Sequence, residues 1–202
     1  QKFYTNGEIR ILWKSQDALV LKALALYLYD SLESVISKRV FHLKGRNGIK
    51  MGTKAAILQV HQALPKHKFV FRTDAKDFYA SIQHQLLFNT CKKYIPNKLI
   101  LKFIQQYLKH PIYFKGVYTT PQKRISLSCP LSPIMAALFL KPLDQIFEQS
   151  KCFYIRYMDD WIILAPNKSQ FRKAIKKVNQ CLTQLQLQKH PDKTFIGKIT
   201  KG

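Results

Sequence analysis

Two adjacent aspartates, Asp159 and Asp160, lie within residues 152–166, CFYIRYMDDWIILAP, between two apolar runs of strand composition. Burying one carboxylate without a partner is costly, and a second carboxylate beside it adds like-charge repulsion. A bound cation would remove both costs. The pair therefore indicates a cation-binding turn between two strands, the alternative being a solvated hairpin turn.

A third carboxylate lies where another strand-like segment ends. Asp74 closes residues 69–74, FVFRTD, and Asp77 follows three residues later. Side chains at the ends of neighbouring strands can converge on one point, and carboxylate oxygens bind Mg²⁺ together with substrate phosphates. Two such ions about 3.5–4 Å apart activate an attacking oxygen and stabilise a leaving oxygen in phosphoryl transfer. We therefore expect two Mg²⁺ ions, or Mn²⁺ in their place, between Asp74 and the acidic pair.

The charge of the chain indicates a polyanionic partner. Among its 202 residues, 34 Lys and Arg outnumber 11 Asp and Glu, which gives a net charge of +23. Since 47% of the residues are hydrophobic, we expect the chain to fold and to display this charge on a structured surface. The alternative is a basic surface that only keeps the protein in solution. Membrane binding is not expected, because no apolar run approaches the roughly 20 residues of a spanning helix.

The cysteine pattern gives no sign of a structural metal site. Cys91, Cys129, Cys152 and Cys181 are widely separated and form no C-x-x-C pair, which argues against zinc. Isolated thiols of this kind fit a reducing intracellular compartment. No signal or transit peptide is visible, but the chain begins at Gln1 and not at Met, so we expect a fragment or a processed product.

The apolar periodicity predicts an α+β fold. Helical spacing predicts helices over residues 15–36, 55–64, 82–94, 98–108, 130–147 and 168–187. Strand composition predicts strands over residues 69–74 and 193–199, and hairpins over residues 112–120, turning at Lys115-Gly116, and 152–166. This order fits an antiparallel sheet with helices on one face. We expect residues 1–65 to form a basic helical lobe and residues 66–202 the sheet domain, with further elements of the lobe within residues 84–125.

Four of these segments resemble the motifs of reverse transcriptases, in the order of that family. YMDD at residues 157–160 is similar to the signature turn, and FRTDAKDFYASI at residues 71–82 resembles the first catalytic motif. RISLSCPLSPIMAALFL at residues 124–140 resembles a segment of bacterial and group II intron-type enzymes, and LQLQKHPDKTFIGKI at residues 185–199 resembles the motif after the turn. The resemblance implies a polymerase palm, which is an RRM-like sheet with helices on one face, and a mainly helical fingers lobe. The thumb is expected to be absent from this chain, so that primer extension by the chain alone would be feeble.

The resemblance implies catalytic roles for particular positions. Asp74 and Asp159 would be the main metal ligands, Asp160 the second acid of the turn, and the backbone carbonyl of Ala75 a further ligand. Lys193 matches a lysine that is proposed to protonate the departing pyrophosphate, which is general acid catalysis. The alternative for Lys193 is a surface charge. The implied reaction is RNA-directed DNA synthesis, in which dNTPs are added to a primer 3′-OH.

The same resemblance implies a nucleotide-binding site. The backbone amides of Asp77 and Phe78 would meet the triphosphate, and the ring of Tyr79 would stack under the deoxyribose and exclude a 2′-OH. The alternative for Tyr79 is a core aromatic. Where the family carries Gln-Gly, this chain has Leu127-Ser128, so the contact with the incoming nucleotide and the template differs at these positions.

Basic residues of the N-terminal lobe are candidates for the triphosphate or the template backbone, and each could equally be a solvated charge. These candidates are Arg10, Lys14, Lys44, Arg46 and Lys50. The partners that the resemblance implies are an RNA template, a DNA or RNA primer and dNTPs, without a membrane.

Two other functions stay open at this point. An RNA-directed RNA polymerase shares an acidic turn, although Tyr79 and Met158 favour DNA synthesis. A non-catalytic RNA-binding scaffold derived from a palm would keep the fold but would not need the three carboxylates. We expect a bacterial cytoplasmic enzyme that is bound to nucleic acid. The motifs alone do not distinguish the polymerases of introns, retrons, diversity-generating elements and phage defence. They also do not give the oligomeric state.

Overall fold

The computed structural model describes residues 2–5, 8–43, 45, 51–114 and 116–201. In chain order, the strands are β1 (Lys2–Thr5), β2 (Glu8–Ile11), β3 (Phe69–Thr73), β4 (Ile112–Phe114), β5 (Val117–Thr119), β6 (Phe153–Tyr157), β7 (Asp160–Ala165) and β8 (Phe195–Lys198). The helices are α1 (Ser15–Ser31), α2 (Thr53–Ala63), α3 (Phe78–Ser81), α4 (His84–Tyr94), α5 (Lys98–Leu108), α6 (Ser132–Phe139), α7 (Lys141–Glu148) and α8 (Lys168–Gln184). Within the described residues, no helix is both long enough and apolar enough to cross a membrane.

These elements form two compact units, and each unit is assembled from two separate stretches of the chain. The first unit comprises Gln1–Val35 and Tyr79–Phe139, and the second comprises Ile36–Phe78 and Leu140–Gly202. The sequence predicts a boundary at residue 65, whereas this division places the described residues between 36 and 65 with the sheet of the second unit. Residues 84–125, which the sequence left open to either lobe, belong to the first unit.

The second unit is built on a four-stranded sheet with the order β6-β7-β3-β8. All neighbouring strands are antiparallel, and the central β3 places Phe71 opposite Ile163 of β7 and Ile196 of β8. Aromatic and β-branched side chains dominate these strands, as is typical of a pleated surface that is covered by other elements. The predicted α+β class with an antiparallel sheet is confirmed.

Helices cover both faces of this sheet. Side chains alternate between the two faces of a strand, so Phe69 and Arg72 of β3 point to opposite sides. α8 lies on the side of Phe69, where the rings of Phe69 and Phe171 stack with centroids 5.2 Å apart. α2 lies on the side of Arg72, and between α2 and the sheet an apolar groove of about 370 Å³ is lined by residues that include Ile57 and Ile155. The helices that were expected on one face are thus joined by α2 on the other.

The first unit has its core around α6. Seven of the eight residues of α6 are buried, so this helix is apolar on all sides, as expected for a helix enclosed by its neighbours. It packs against α1 and α4. β4 and β5 pair on either side of the predicted turn at Lys115-Gly116. Lys115 lies outside the described residues, and Gly116 has a φ of +85°, a conformation that glycine adopts without steric cost.

The structure differs from the sequence predictions in two elements. The helix predicted over residues 130–147 is divided into α6 and α7, because Leu140 between them is not helical and Pro142 lies in the first turn of α7. The antiparallel pair of β1 and β2 is an addition to the predicted helical lobe. A sequence signal for this pair exists, since Asn-Gly at positions 6 and 7 is typical of a two-residue hairpin connection. All four cysteines are free and buried.

Candidate active site

The strand register places Asp74 beside the acidic turn. β3 ends at Thr73, which lies opposite Trp161 of β7. Asp74 directly follows Thr73 and Asp160 directly precedes Trp161, so the antiparallel strands bring these two aspartates to the same edge of the sheet. Asp159 is the last residue of the turn that leads into β7. The structure therefore brings together the three carboxylates that the sequence singled out.

The ionisation of the turn aspartates shows that the three carboxylates interact. Burial, together with the charges of Asp160 and Asp74, raises the pKa of Asp159 to about 6, and Lys193 opposes this effect. Burial and the charge of Asp74 also raise the pKa of Asp160. Carboxylates that repel one another in this way bind an added cation favourably, because the cation removes the repulsion.

Lys193 is the positive group that the structure itself supplies to this cluster. Its Nζ donates a hydrogen bond of 2.7 Å to Oδ2 of Asp74. This hydrogen bond and the charge of Asp74 raise the pKa of Lys193, whose side chain is otherwise exposed. The lysine predicted as a general acid thus lies at the acidic edge of the sheet and is protonated at neutral pH.

The donor set fits a hard divalent cation that is completed by substrate. Oδ1 of Asp74 is buried and has no hydrogen-bond partner among the described residues, so one lone-pair site at this edge is unused. Within the same residues, no group of three or more His, Cys, Asp or Glu side chains is placed to hold a metal ion, so an ion bound here would need further ligands from water and substrate. Carboxylate oxygens at such an open site are suited to Mg²⁺, which normally keeps water and substrate phosphate among its ligands.

The turn between β6 and β7 is held in an unusual backbone conformation. Met158 has a φ of +54°, in the left-handed region that costs a non-glycine residue free energy. Its N–H donates to Nδ1 of His42 at 3.0 Å, and its carbonyl accepts a hydrogen bond of 2.7 Å from Nη1 of Arg156. Both backbone polar groups of Met158 are therefore held by side chains outside the turn, and this fixes the direction in which the chain continues to Asp159.

Arg156 forms a buried ion pair with Asp144 of α7. Nε of Arg156 donates to Oδ1 of Asp144 at 2.9 Å, and Nη2 donates to Oδ2 at 2.7 Å. The hydroxyl of Tyr154 donates to Oδ1 of the same carboxylate at 2.8 Å. All three side chains are essentially inaccessible to solvent. Neither Arg156 nor Asp144 was predicted from the sequence, although a charged residue within the apolar strand FYIRY was an available signal for Arg156.

Ala75, whose carbonyl is predicted to bind a metal ion, and the predicted nucleotide contacts Asp77 and Phe78 lie in the second unit. Ala75 pairs with Lys189 in an isolated bridge, in which Lys76 N–H donates to Gln188 O and His190 N–H donates to Asp74 O. Neither hydrogen bond uses the carbonyl of Ala75. Asp77 is exposed and has a φ of +47° just before α3, and Phe78 begins that helix with a buried ring.

Tyr79, Leu127 and Ser128 lie in the first unit. Tyr79 is half-buried, and its carbonyl accepts a hydrogen bond of 2.9 Å from the N–H of Ile125. Leu127 follows two residues later and is 46% exposed, which is unusual for a leucine that belongs to a core. Ser128 is exposed as well. This backbone hydrogen bond joins Tyr79, which is predicted to exclude a 2′-OH, to the segment that contains Leu127 and Ser128.

The basic candidates of the N-terminal segment are only partly described. Lys14 is exposed and directly precedes α1. Arg10 lies in β2, opposite Phe3 of β1, and its side chain is not described. Lys44, Arg46 and Lys50 lie outside the described residues. Their assignment to triphosphate or template stays a prediction.

An antiparallel sheet that carries clustered carboxylates at the end of its central strand and at an adjacent hairpin turn defines the palm of a nucleotide polymerase. The profile of the reverse transcriptase (RNA-dependent DNA polymerase) family matches residues 6–200, and the chain belongs to this family. Members of the family generally use divalent metal ions. No curated protein is significantly similar to the chain.

Solved structures of telomerases share the fold at low sequence identity. Apo telomerase from Candida tropicalis is 12% identical, with a TM-score of 0.67 over 92% of this chain and 37% of that one. Telomerase from Candida albicans in complex with the TWJ fragment of telomeric RNA is 13% identical, with a TM-score of 0.64 over 90% of this chain and 34% of that one. The chain thus spans little more than a third of the length of these structures, and the likeness establishes the palm and fingers fold.

Proposed function

We propose that this chain is the catalytic region of an enzyme that copies RNA into DNA by adding dNTPs to a primer 3′-OH. The observation that carries the proposal is the grouping of Asp74, Asp159, Asp160 and Lys193 at one edge of the sheet. Membership of the reverse transcriptase family supports the reaction class. The raised pKa values of both turn aspartates support a cluster that is built to receive positive charge.

Asp74 and Asp159 are proposed to hold two divalent ions, with Asp160 as a weaker ligand and the carbonyl of Ala75 as a further one. The unused Oδ1 of Asp74 supports this assignment. Bound ions of this kind activate the attacking oxygen and stabilise the leaving oxygen of a phosphoryl transfer. The oxygen donor set favours Mg²⁺, and Mn²⁺ has compatible chemistry.

Lys193 is proposed to supply a proton to the leaving group. In the reaction, the primer 3′-oxygen forms a bond to the α-phosphorus, and the bond from that phosphorus to the oxygen bridging to the β-phosphate breaks. The proton of the 3′-hydroxyl passes to solvent, and the Lys193 ammonium gives a proton to the departing pyrophosphate. The exposed Nζ beside Asp74 supports this role, since it is both protonated and accessible to a triphosphate.

We further propose an RNA template, a DNA or RNA primer and dNTPs as partners, with Tyr79 as the residue that excludes a 2′-OH. The amides of Asp77 and Phe78, just before and at the start of α3, are proposed to contact the triphosphate. The subclass is proposed to be a bacterial enzyme of the cytoplasm, of the retron or group II intron type. The Pro-Leu-Ser-Pro sequence that leads into α6 supports this subclass.

The test is incorporation of dTTP on a poly-rA template with an oligo-dT primer, in Mg²⁺ and separately in Mn²⁺. Asp159→Asn should reduce incorporation by at least about 100-fold, because a ligand to the ions is replaced by a neutral amide. The matched control is Asp30→Asn, which removes one exposed carboxylate from α1 and should keep wild-type activity. Incorporation by Asp159→Asn that equals wild type, at a rate well above that of a reaction without protein, would exclude a catalytic role and leave an RNA-binding scaffold.

A further inference from the structure

The first turns of α8 carry five closely spaced basic residues that have no role in the proposed polymerase reaction. Within residues 168–177 the cations are Lys168, Arg172, Lys173, Lys176 and Lys177, and all five are exposed. No acidic residue occurs anywhere in α8 (Lys168–Gln184), and its remaining turns are uncharged. We refer to these five residues as the α8 cations.

This arrangement opposes the stability of the helix. Cations near the N-terminus of a helix interact unfavourably with its dipole, and acidic residues would be favourable there. Like charges four positions apart, such as Arg172 and Lys176 or Lys173 and Lys177, destabilise a helix by roughly 0.2–0.5 kcal/mol per pair. Among the described residues, no carboxylate forms an ion pair with any α8 cation. The stability of the helix therefore does not explain this charge pattern.

The opposite face of α8 is fully used in packing. Phe171, Ala174, Val178, Cys181 and Leu182 are buried against the sheet and α7. The α8 cations consequently all lie on the solvent side of the helix. An amphipathic helix that binds a membrane inserts its apolar face into the lipid. Here the sheet already covers that face, so an anionic membrane is not the partner that this helix fits.

Two recesses flank α8, and each is lined by three cations. The first recess, of about 400 Å³, has Phe69 and Phe171 in its wall and is lined by Lys168, Arg172 and Lys198. The second recess, of about 170 Å³, is lined on the other side of the helix by Lys151, Lys173 and Lys177. The positive charge therefore continues from α8 onto both neighbouring segments of the second unit.

This surface is separate from the acidic edge of the sheet. Phe69, in the first recess, is the first residue of β3, and Asp74 follows its last residue. Five residues of extended chain span about 16 Å. A phosphate held between Lys168 and Arg172 is therefore too far along the strand to be one that reacts at Asp74.

We propose that the α8 cations form a second RNA-binding surface, which holds the phosphate backbone without reading the sequence. The inference rests on the proposed function for the identity of the polyanion, since an enzyme that copies RNA handles strands longer than its active site. Each phosphate neutralised by a Lys or Arg releases condensed counterions, so binding at this surface is strongly dependent on salt. Structured regions of the RNA, outside the copied segment, are the ligands that a surface of this kind retains.

The test is binding of a fluorescein-labelled RNA duplex to the whole chain over a series of KCl concentrations. The variant carries Lys168→Gln, Arg172→Gln, Lys173→Gln and Lys177→Gln, since glutamine keeps a high helix propensity. Loss of four phosphate contacts should reduce the slope of log Kd against log [KCl] by about 3–4 and weaken binding by at least about ten-fold at moderate salt. The assay contains neither nucleotides nor divalent ions, so an absence of polymerase activity would not alter its result.

The matched control removes the same charge elsewhere. Lys92, Lys93, Lys98 and Lys102 are exposed lysines of α4 and α5, and their joint replacement by Gln should change the slope by less than half as much. An equal effect of both variants would show that only net charge matters and would overturn the proposal. So would a variant that binds the RNA like wild type but no longer binds vesicles of phosphatidylserine.

A measurement on the wild-type chain keeps the test valid if the four-fold variant fails to fold. Acetylation of lysines by an activated ester, with and without the RNA duplex, reports which ammonium groups the RNA covers. Lys173 and Lys177 should be protected at least about five-fold by bound RNA, whereas Lys92 and Lys93 should be acetylated at similar rates in both samples. Equal acetylation of Lys173 and Lys177 with and without RNA would overturn the proposal.

Discussion

Asp159 carries a charge that opposes folding whenever the site lacks a cation. Its pKa in the folded chain is about 6, above the value of about 3.9 for an unfolded aspartate. Because the folded pKa is the higher one, the folded chain binds the proton more tightly than the unfolded chain. The stabilisation from protonation is complete below about pH 4 and is lost as the pH rises through 6. The acidic turn therefore favours cation binding at neutral pH at the expense of stability.

We predict that Asp159→Asn raises the free energy of unfolding at pH 7, in EDTA, by about 1–2 kcal/mol. The difference between a folded pKa of about 6 and an unfolded pKa of about 3.9 corresponds to about 2.7 kcal/mol, and partial solvent exposure of the carboxylate reduces this figure. Near pH 4 the variant and the wild type should be about equally stable. Urea unfolding followed by circular dichroism at both pH values measures the difference.

Asp30→Asn is the control for this comparison, since it removes an exposed carboxylate from α1. It should change the free energy of unfolding by less than about 0.5 kcal/mol at either pH. A lower stability of Asp159→Asn at pH 7, or the same difference at both pH values, would contradict the assigned ionisation of Asp159.

The turn between β6 and β7 depends on groups that have no part in the chemistry. His42 and Arg156 bind the N–H and the carbonyl of Met158, and Asp144 neutralises Arg156 in the interior. A buried ion pair is expensive to desolvate, so replacing all of its members by apolar residues is often neutral for stability. Removing one member alone leaves a buried charge without a partner. Stability and positioning of the turn can therefore be separated by mutation.

We predict that Arg156→Met alone lowers the free energy of unfolding by about 3–5 kcal/mol, because it leaves Asp144 buried and unpaired. The triple variant Arg156→Met, Asp144→Leu and Tyr154→Phe should recover most of this loss. Incorporation of dTTP by the triple variant should still fall by at least about ten-fold in kcat, since the carbonyl of Met158 has lost its donor. Urea unfolding and steady-state incorporation measure the two effects on the same proteins.

Tyr154→Phe alone is the control, since it removes one hydroxyl and leaves the ion pair intact. A triple variant with wild-type stability and wild-type kcat would show that the ion pair serves folding only. A change of KM for dTTP without a change of kcat would also contradict positioning of the catalytic turn.

The elements that position the site were largely predictable, and the reasons differ from one to the next. The helix over residues 98–108 has the predicted bounds, because Asn97 caps it and its apolar residues recur at helical spacing. Strand composition located β3, β6 and β7, and the paired aspartates located the turn. The role of Arg156 was not predictable from the sequence. Its hydrogen bonds to Asp144 and Met158 depend on how α7 packs on the sheet and on the conformation of the turn. The break at Leu140 was missed because the apolar spacing continues through it.

The division of the molecule into two units was beyond the reach of sequence patterns, because each unit uses two distant stretches of chain. Residues 36–65 illustrate this. Val40 forms a bridge to Arg156, and Phe41 N–H donates to the carbonyl of Arg156 at 2.8 Å. Both side chains are fully buried in the second unit. The sequence prediction placed this segment in the basic helical lobe of residues 1–65, whereas its buried side chains place it with the sheet.

This assignment leads to a prediction that distinguishes the observed units from a boundary at residue 65. Phe41→Ala should lower the free energy of unfolding of the second unit by about 3–5 kcal/mol, because a buried phenyl ring leaves a cavity. Hydrogen exchange resolved by residue should then accelerate at the amides of β6 and β7. Leu28→Ala in α1 is the matched control, and it should accelerate exchange mainly at α1, α4 and α6. If Phe41→Ala instead accelerated exchange in α1 and left β6 protected, residues 36–65 would belong with the N-terminal segment.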